Sequence, residues 1–250
     1  KFRLEPGTLR LLTQAASTNL IQQLSGPRLQ NEILVLFAER DPARAIARLA
    51  KLKLLRFLHG RLRYTMDVKR VVLAVPKAFA WWGSRSPDAV IDRPLVCLMA
   101  LLSESSPAVI AAISKRLACS REQATKLSAG GKRLDRILKK LTAKGTLRPS
   151  QVYRLLVGLP DEALVLLVAK QVSCQQAARL SQLKRYLMAY EKNRAIATVL
   201  KGRDLQAMGL KPGPQYGAIL GKLLDARING AVASEAEERG STSMRCPSQT

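Results

Sequence analysis

Apolar residues return every three to four positions along almost the whole chain, and that period is the one fact that most limits its fold. Leu9, Leu12, Ala16, Leu20 and Leu24 set the pattern, and Leu29, Ile33, Leu36 and Phe37 continue it. A spacing of three to four places these side chains on one face of a helix, whereas a half-buried strand would alternate. No stretch alternates with β-branched residues. Pro27 fits a first helical position, and Asp41-Pro42 reads as an N-cap followed by a first-turn proline. Further helices are predicted over 43–52, 67–82 (kinked or divided at Pro76), 93–103, 108–117, 121–129, 132–143, 150–157, 161–171 and 174–190. Gly- and Pro-bearing connectors such as 103–107, 130–131 and 145–149 separate them. Two short helices around a Lys-Pro-Gly-Pro turn close the pattern over 202–230, and a polar, patternless tail follows Glu238. The chain is expected to be all-α, a multi-helix bundle with no β-sheet.

The 250 residues hold 42 Lys and Arg against 18 Asp and Glu, a net charge of +24. With 47% hydrophobic residues the chain can bury a core, so the positive charge must stand on its surface. Such a surface repels itself unless a polyanion neutralises it, and nucleic acid is the common polyanion. The densest stripe lies on the helix from Lys132. At 100° per residue Lys132, Arg133, Arg136, Lys139, Lys140 and Lys144 share an arc of about 140°. Leu134, Ile137, Leu138 and Leu141 fall opposite. Asp135 is the stripe's nearest acid, and Gly130-Gly131 could let backbone N–H groups meet an anion at the helix start. Lys115-Arg116, Lys184-Arg185, Lys192 with Arg194, and Lys201 with Arg203 are further basic clusters. Aromatic residues are sparse, and Trp81-Trp82 reads as core, so the expected mode is tracking of a phosphate backbone by charge and shape.

Several classes of chemistry find no residues here. No Gly-rich phosphate loop is present. His59 is the only histidine, predicted to be a surface residue or a partner of a helix C-terminus. No Asp-x-Asp pair offers a two-metal site. Glu235, Glu237 and Glu238 read as an exposed helix end. Cys97, Cys119, Cys174 and Cys246 are widely spaced, with no CxxC pair, and are expected to be reduced, mostly buried thiols in a cytoplasmic protein. The longest apolar run, Pro94 to Leu102, is about half of a membrane span, so no membrane partner is expected, and no leader is recognised. The opening in mid-pattern, without Met, reads as that of a fragment or processed chain.

Two stretches resemble a known family. Phe2-Arg3-Leu4-Glu5-Pro6, Leu24-Ser25-Gly26-Pro27-Arg28-Leu29-Gln30-Asn31-Glu32, and Asp41-Pro42 with Ala45 and Leu49-Ala50-Lys51-Leu52 resemble the neck of class II tRNA nucleotidyltransferases and bacterial poly(A) polymerases. Gly202-Arg203-Asp204-Leu205, Gly209-Leu210-Lys211-Pro212-Gly213-Pro214, Gly217, Ile219-Leu220 and Asn229-Gly230 resemble that family's C-terminal element, in the same order. The family's neck motif, Ser-x-Glu-Arg-(Ile/Met)-x-x-Glu, reads Ser25, Pro27 in place of Glu, Arg28, Leu29 and Glu32. Arg28 and Glu32 stand one turn apart and could pair.

The resemblance implies a helical neck over 1–60, a body over 61–199, a tail over 200–238 and a disordered end over 239–250. It implies that the catalytic head, with its carboxylates and base-reading motif, lies upstream of Lys1 or on another chain. No catalytic residue, metal ligand or cofactor is then expected in this chain, and Mg2+ with ATP or CTP would belong to the head. The implied partner is tRNA, held at acceptor stem and elbow through phosphates; the charge pattern, not the resemblance, offers Lys132, Arg133, Arg136, Lys139, Lys140, Lys144, Lys184, Arg185, Lys201, Arg203 and Lys211 as the contacts. The implied activity of the parent is addition of A, or of C and A, to tRNA 3′ ends. Poly(A) polymerase and a free-standing helical RNA-binding scaffold remain the alternatives.

Overall fold

A computed structural model describes residues 5–18, 20–86 and 89–243. The described residues form fourteen α-helices and two 3-10 turns, with no strand, in keeping with the all-α expectation. In chain order these are α1 (Pro6–Ser17), the turn Leu20–Gln23, α2 (Gly26–Ala38), α3 (Pro42–Lys51), the turn Leu54–Phe57, α4 (Met66–Gly83), α5 (Arg93–Leu101), α6 (Pro107–Arg116) and α7 (Arg121–Ser128). Then follow α8 (Lys132–Leu141), α9 (Pro149–Leu156), α10 (Asp161–Ser173), α11 (Ala177–Asn193), α12 (Gly202–Ala207), α13 (Gln215–Ile228) and α14 (Glu235–Ser243).

The helices start where their sequences provide caps. Side chains of Asp41, Thr65, Asp92, Ser106 and Ser120 accept hydrogen bonds from the first-turn N–H groups of Arg44, Val68, Leu95, Val109 and Gln123. The Gln123 side chain returns the bond to the Ser120 N–H at 3.0 Å, closing a capping box. Each such cap is worth about 1 kcal/mol. First-turn prolines open α1, α2, α3, α5, α6 and α9, where the missing N–H costs nothing.

The chain divides into two compact units. The first holds the described residues of 1–142 together with 158–183. At its centre lies α10, whose residues 163–169 are apolar and all fully buried. It packs on α4, α5 and α8, while α2 covers α5 and α3 joins α2 to α4. Residues 95–101 of α5 are likewise buried throughout.

The second unit holds the described residues of 143–157 and 184–250. Here α9 packs on α13, and α13 meets α12 and α14. The family-like residues of this segment do structural work. Asp204 accepts the Lys201 backbone N–H at 2.7 Å and so caps α12, and Leu205 beside it is fully buried. The α12 helix closes at Gly209, which has φ +82°, a conformation costly for other residues, with Leu210 N–H bonded to Leu205 O and Gly209 N–H to Gln206 O. Asn229 accepts from Ser150 N–H at 3.1 Å and donates to Ser150 Oγ at 3.0 Å, tying α13 to the start of α9. Arg154 adds a two-pronged ion pair to Asp225.

Four expectations need correction. The α4 helix does not end at Pro76 but continues to Gly83: the ring stands on the exposed side, while Val71, Val72, Val75 and Ala78 are buried on the other and hold the helix together. Cys174 ends α10 rather than opening α11, because Gln175 takes φ 55° and breaks the helical path. The α14 helix continues past Glu238 to Ser243, where a patternless tail was expected. Glu238 itself is fully buried, not part of an exposed helix end. Its carboxylate accepts the Leu200 N–H at 2.8 Å and the Val199 N–H at 3.2 Å, and pairs with Arg227 at 2.7 Å. The Phe2-Arg3-Leu4 part of the neck resemblance, residues 244–250 and Cys246 lie outside the described residues.

Glu238 gives the second unit a dependence on acid. Burial pushes its carboxyl up, but the Leu200 N–H, Arg227 and the Val199 N–H together hold it below its ordinary value. The fold therefore binds the ionised form more tightly. This stabilisation is complete above the unfolded-state value near 4.3 and is lost as pH falls below it. Glu238→Gln should cost about 1.5–3 kcal/mol at neutral pH, measured by denaturant unfolding. It should also flatten the stability-versus-pH curve below pH 4.5; an unchanged curve would remove Glu238 from this role.

Candidate nucleic-acid interface

The basic stripe rests on how α8 is seated. Leu134 and Leu141 are fully buried and Leu138 nearly so, facing the α10 side. Lys132, Arg133, Arg136, Lys139 and Lys140 are all exposed on the other side. Asp135 is turned to the flank, where it meets Lys170 Nζ at 2.7 Å. Lys170 is a buried cation of α10 and also donates to the Ser103 carbonyl at 3.1 Å. The stripe's one nearby acid is thus committed inward. Among the described residues none of the five exposed cations makes an ion pair. Lys132 and Arg133 also sit at the positive end of the helix dipole, where a cation is disfavoured. Like charges one turn apart destabilise a helix by a few tenths of a kcal/mol per pair. The face is held together by the leucines behind it.

The glycines before α8 act differently from the sequence expectation. Gly130 and Gly131 are buried. A Cβ on Gly131 would stand 2.6 Å from Ile110 Cδ1 and 2.8 Å from the Ser105 carbonyl, and its φ is +65°. The Lys132 N–H points at that same carbonyl at 3.4 Å. Glycine is needed here for close packing, and the helix start is covered by the 103–106 loop rather than open to an anion.

The other predicted contact residues, Lys144, Lys184, Arg185, Lys201, Arg203 and Lys211, belong to the second unit. Lys184 and Arg185 are neighbours on α11, and Lys201 and Arg203 stand at the start of α12. Lys144, Arg185, Lys201, Arg203 and Lys211 are exposed, Lys211 in the turn between α12 and α13; Lys184 is half-buried. Arg203 lies 3.9 Å from Asp204.

Some cations are structural. Arg116 donates to the Leu24 carbonyl at 3.1 Å and the Gln22 carbonyl at 3.3 Å, clamping α6 to the 3-10 turn before α2. Arg56 donates to the Ala16 carbonyl and lies over the Phe57 ring. Lys126 bridges Glu122 and the buried Glu162, each at 2.9 Å. Arg28 and Glu32 are exposed and, among the described residues, form no ion pair with each other.

Other expected residues resolve simply. His59 Nδ1 accepts the Arg61 N–H at 3.1 Å, a local turn contact. Trp82 is buried and meets Trp81 edge-on at 6.0 Å, a core arrangement. Cys97 is buried, which pushes its thiol up to about 11; Cys119 is half-buried and Cys174 exposed. Among the described residues no cluster of three or more His, Cys, Asp or Glu could hold a metal ion. No described helix is long and apolar enough to cross a membrane.

Arg136→Glu with Lys140→Glu should therefore shift stability by no more than about 0.5 kcal/mol, with relief of like-charge repulsion favouring the variant. Leu134→Ala, on the opposite face, should cost about 2–5 kcal/mol through the cavity it leaves. Thermal and denaturant unfolding of both variants measures this asymmetry; equal losses would contradict the seating of α8.

Comparison with known proteins bears on both ends of the chain. The family model described as "Probable RNA and SrmB- binding site of polymerase A" matches residues 1–63. An A-adding tRNA nucleotidyltransferase of Geobacter sulfurreducens is 30% identical over 242 residues, covering 95% of this chain and 27% of that protein. The chain thus spans about a quarter of the relative's length. A CCA-adding enzyme solved with ATP shares the fold at a TM-score of 0.75 and 22% identity, over 97% of this chain and 56% of the other. The Thermotoga maritima CCA-adding enzyme, solved in complex with tRNA, gives a TM-score of 0.73 at 22% identity, over 97% of this chain and 57% of the other. The chain is thus similar to this family over residues 1–63 by the family model and over nearly its whole length by one relative, and it shares the fold of the CCA-adding enzymes.

Proposed function

We propose that this chain is the tRNA-gripping helical portion of a tRNA nucleotidyltransferase-like enzyme, one that adds A, or C and A, to tRNA 3′ ends. The observation that carries the reading is the α8 face: five exposed cations with no ion-pair partner among the described residues, mounted on a buried leucine seam. A relative that acts on tRNA and aligns over 95% of the chain supports the choice of RNA. In this reading residues 1–60, 61–199 and 200–238 are neck, body and tail. The tRNA acceptor stem and elbow lie against body and tail, with Lys144, Lys184, Arg185, Lys201, Arg203 and Lys211 adding contacts to those of α8. Chemistry, with its Mg2+ and its ATP or CTP, belongs to a head domain made of other residues, and the whole acts in the cytoplasm. The family description that names polymerase A keeps poly(A) polymerase as a second reading, with a less selective RNA partner.

The mechanism is electrostatic. Each phosphate neutralised by a Lys or Arg releases condensed counterions, so affinity falls with salt. For about five to eight phosphates the log–log slope on a structured RNA should be on the order of −4 to −7. Binding of a tRNA transcript across a salt series measures this, and a slope near zero would exclude phosphate tracking. Arg136→Glu with Lys140→Glu should weaken that binding several-fold or more. Incubated with tRNA lacking its 3′ end, Mg2+ and labelled ATP, the chain alone should incorporate no label above a buffer control; incorporation would place catalytic residues within it.

A further inference from the structure

The first unit carries a second cationic face that the α8 stripe does not include. It lies on α3, whose inner side is anchored by the fully buried Ile46 and the buried Ala43. Arg44, Arg48 and Lys51 are exposed and share an arc of about 60° at 100° per residue. Lys53, one residue beyond Leu52, is also exposed, with φ 56°. Among the described residues none of these four side chains makes an ion pair or hydrogen bond. Asp41, the nearest acid, is committed to capping the helix, accepting the Arg44 backbone N–H at 3.1 Å.

Helix electrostatics explains only half of this arrangement. Arg48 and Lys51 lie in the last turn and complement the dipole there. Arg44 stands in the first turn, where the dipole opposes a cation, and one turn from Arg48, where like charge opposes it again. At 1.5 Å per residue, Arg44 and Arg48 are about 6 Å apart along the axis, and Lys51 about 4.5 Å further. That is a ladder of positive charge. No large exposed apolar side chain interrupts it: the nearest are Val35 and Met66, outside this segment. Protein interfaces favour aromatic and apolar anchors and are depleted in Lys, whereas phosphates take Arg and Lys without them.

We propose that the α3 face formed by Arg44, Arg48 and Lys51, continued by Lys53, is a second binding surface for the phosphodiester backbone of RNA. The proposal rests on the reading of the chain as an RNA-gripping module. It adds a contact surface inside the first sixty residues, where the family description gives RNA and a protein partner without assigning residues. Of those two classes, the α3 face suits RNA.

The test uses the full 250-residue chain and a tRNA transcript, with affinity measured by fluorescence anisotropy across a salt series. Arg44→Glu with Arg48→Glu should weaken binding about tenfold and reduce the steepness of the salt slope by about 1.5–2. Lys69→Glu with Lys77→Glu makes the same change in net charge at exposed positions of α4 and should weaken binding less than about threefold. Arg44→Gln with Arg48→Gln, which keeps the face polar, should show a smaller loss in the same direction. Circular dichroism and the thermal midpoint should be unchanged in all three. Equal losses in the α3 and α4 charge reversals would reduce the effect to overall charge and overturn the proposal. So would an unchanged affinity in the α3 variants while Arg136→Glu with Lys140→Glu still weakens binding; the α3 face would then serve a protein partner. A wild-type chain whose RNA binding ignores salt would overturn the RNA reading itself, before either face is compared.

Discussion

A buried lysine determines which way the charge of this protein faces. Lys170 follows the fully buried apolar run 163–169 of α10, and its ammonium group is satisfied by the Ser103 carbonyl and by Asp135. A buried ion without partners would cost several kcal/mol, so the pair must form for the centre of the first unit to pack. Together with the buried leucines it sets the rotation of α8 about its axis. Leu134, Leu138 and Leu141 then face inward, and the five cations have nowhere to go but solvent. The loop at 103–106 is held by the same contact and covers the start of α8 against Gly131. Removing either end of the Lys170–Asp135 pair would loosen both the loop and the stripe's orientation.

The same division of labour recurs elsewhere. Residues that carry the resemblance to tRNA nucleotidyltransferases, Asp204, Leu205, Gly209 and Asn229, are occupied with capping, burial, turning and cross-helix hydrogen bonding. Arg116, Arg154 and Arg227 are spent on carbonyls and carboxylates. The exposed cations of α8 and α3, which have no ion-pair partner among the described residues, are the positive charge that packing did not use. A surplus of this kind carries electrostatic repulsion in the free protein, and a polyanion relieves it.

The helical class, most helix starts and the α8 stripe were legible in the sequence because each depends on local chemistry. Asp41 followed by Pro42, or leucines spaced at three and four, carry their meaning within one or two turns. Pro76 does not divide α4 because long-range burial on one side of the helix outweighs a local helix breaker. Glu238 misled because its partners, Val199, Leu200 and Arg227, lie far from it in sequence, and nothing in an acidic helix end shows that it will be buried. The Gly130-Gly131 pair misled for a related reason: the sequence shows conformational freedom, but only the fold shows Ile110 and Ser105 closing on it. The sorting of basic residues into structural clamps and free faces was illegible in the same way. Lys115-Arg116 reads like any other basic pair until Arg116 is seen on the Leu24 and Gln22 carbonyls.

The central claim is that the outward face of α8 meets RNA phosphates. Lysine acetylation with mass-spectrometric readout, carried out with and without saturating tRNA, tests it at the residues concerned. The account predicts strong protection of Lys132, Lys139 and Lys140 by tRNA, while Lys69 and Lys77 on the exposed side of α4 keep most of their reactivity. Equal reactivity of Lys132, Lys139 and Lys140 in the free and the tRNA-saturated chain would contradict it.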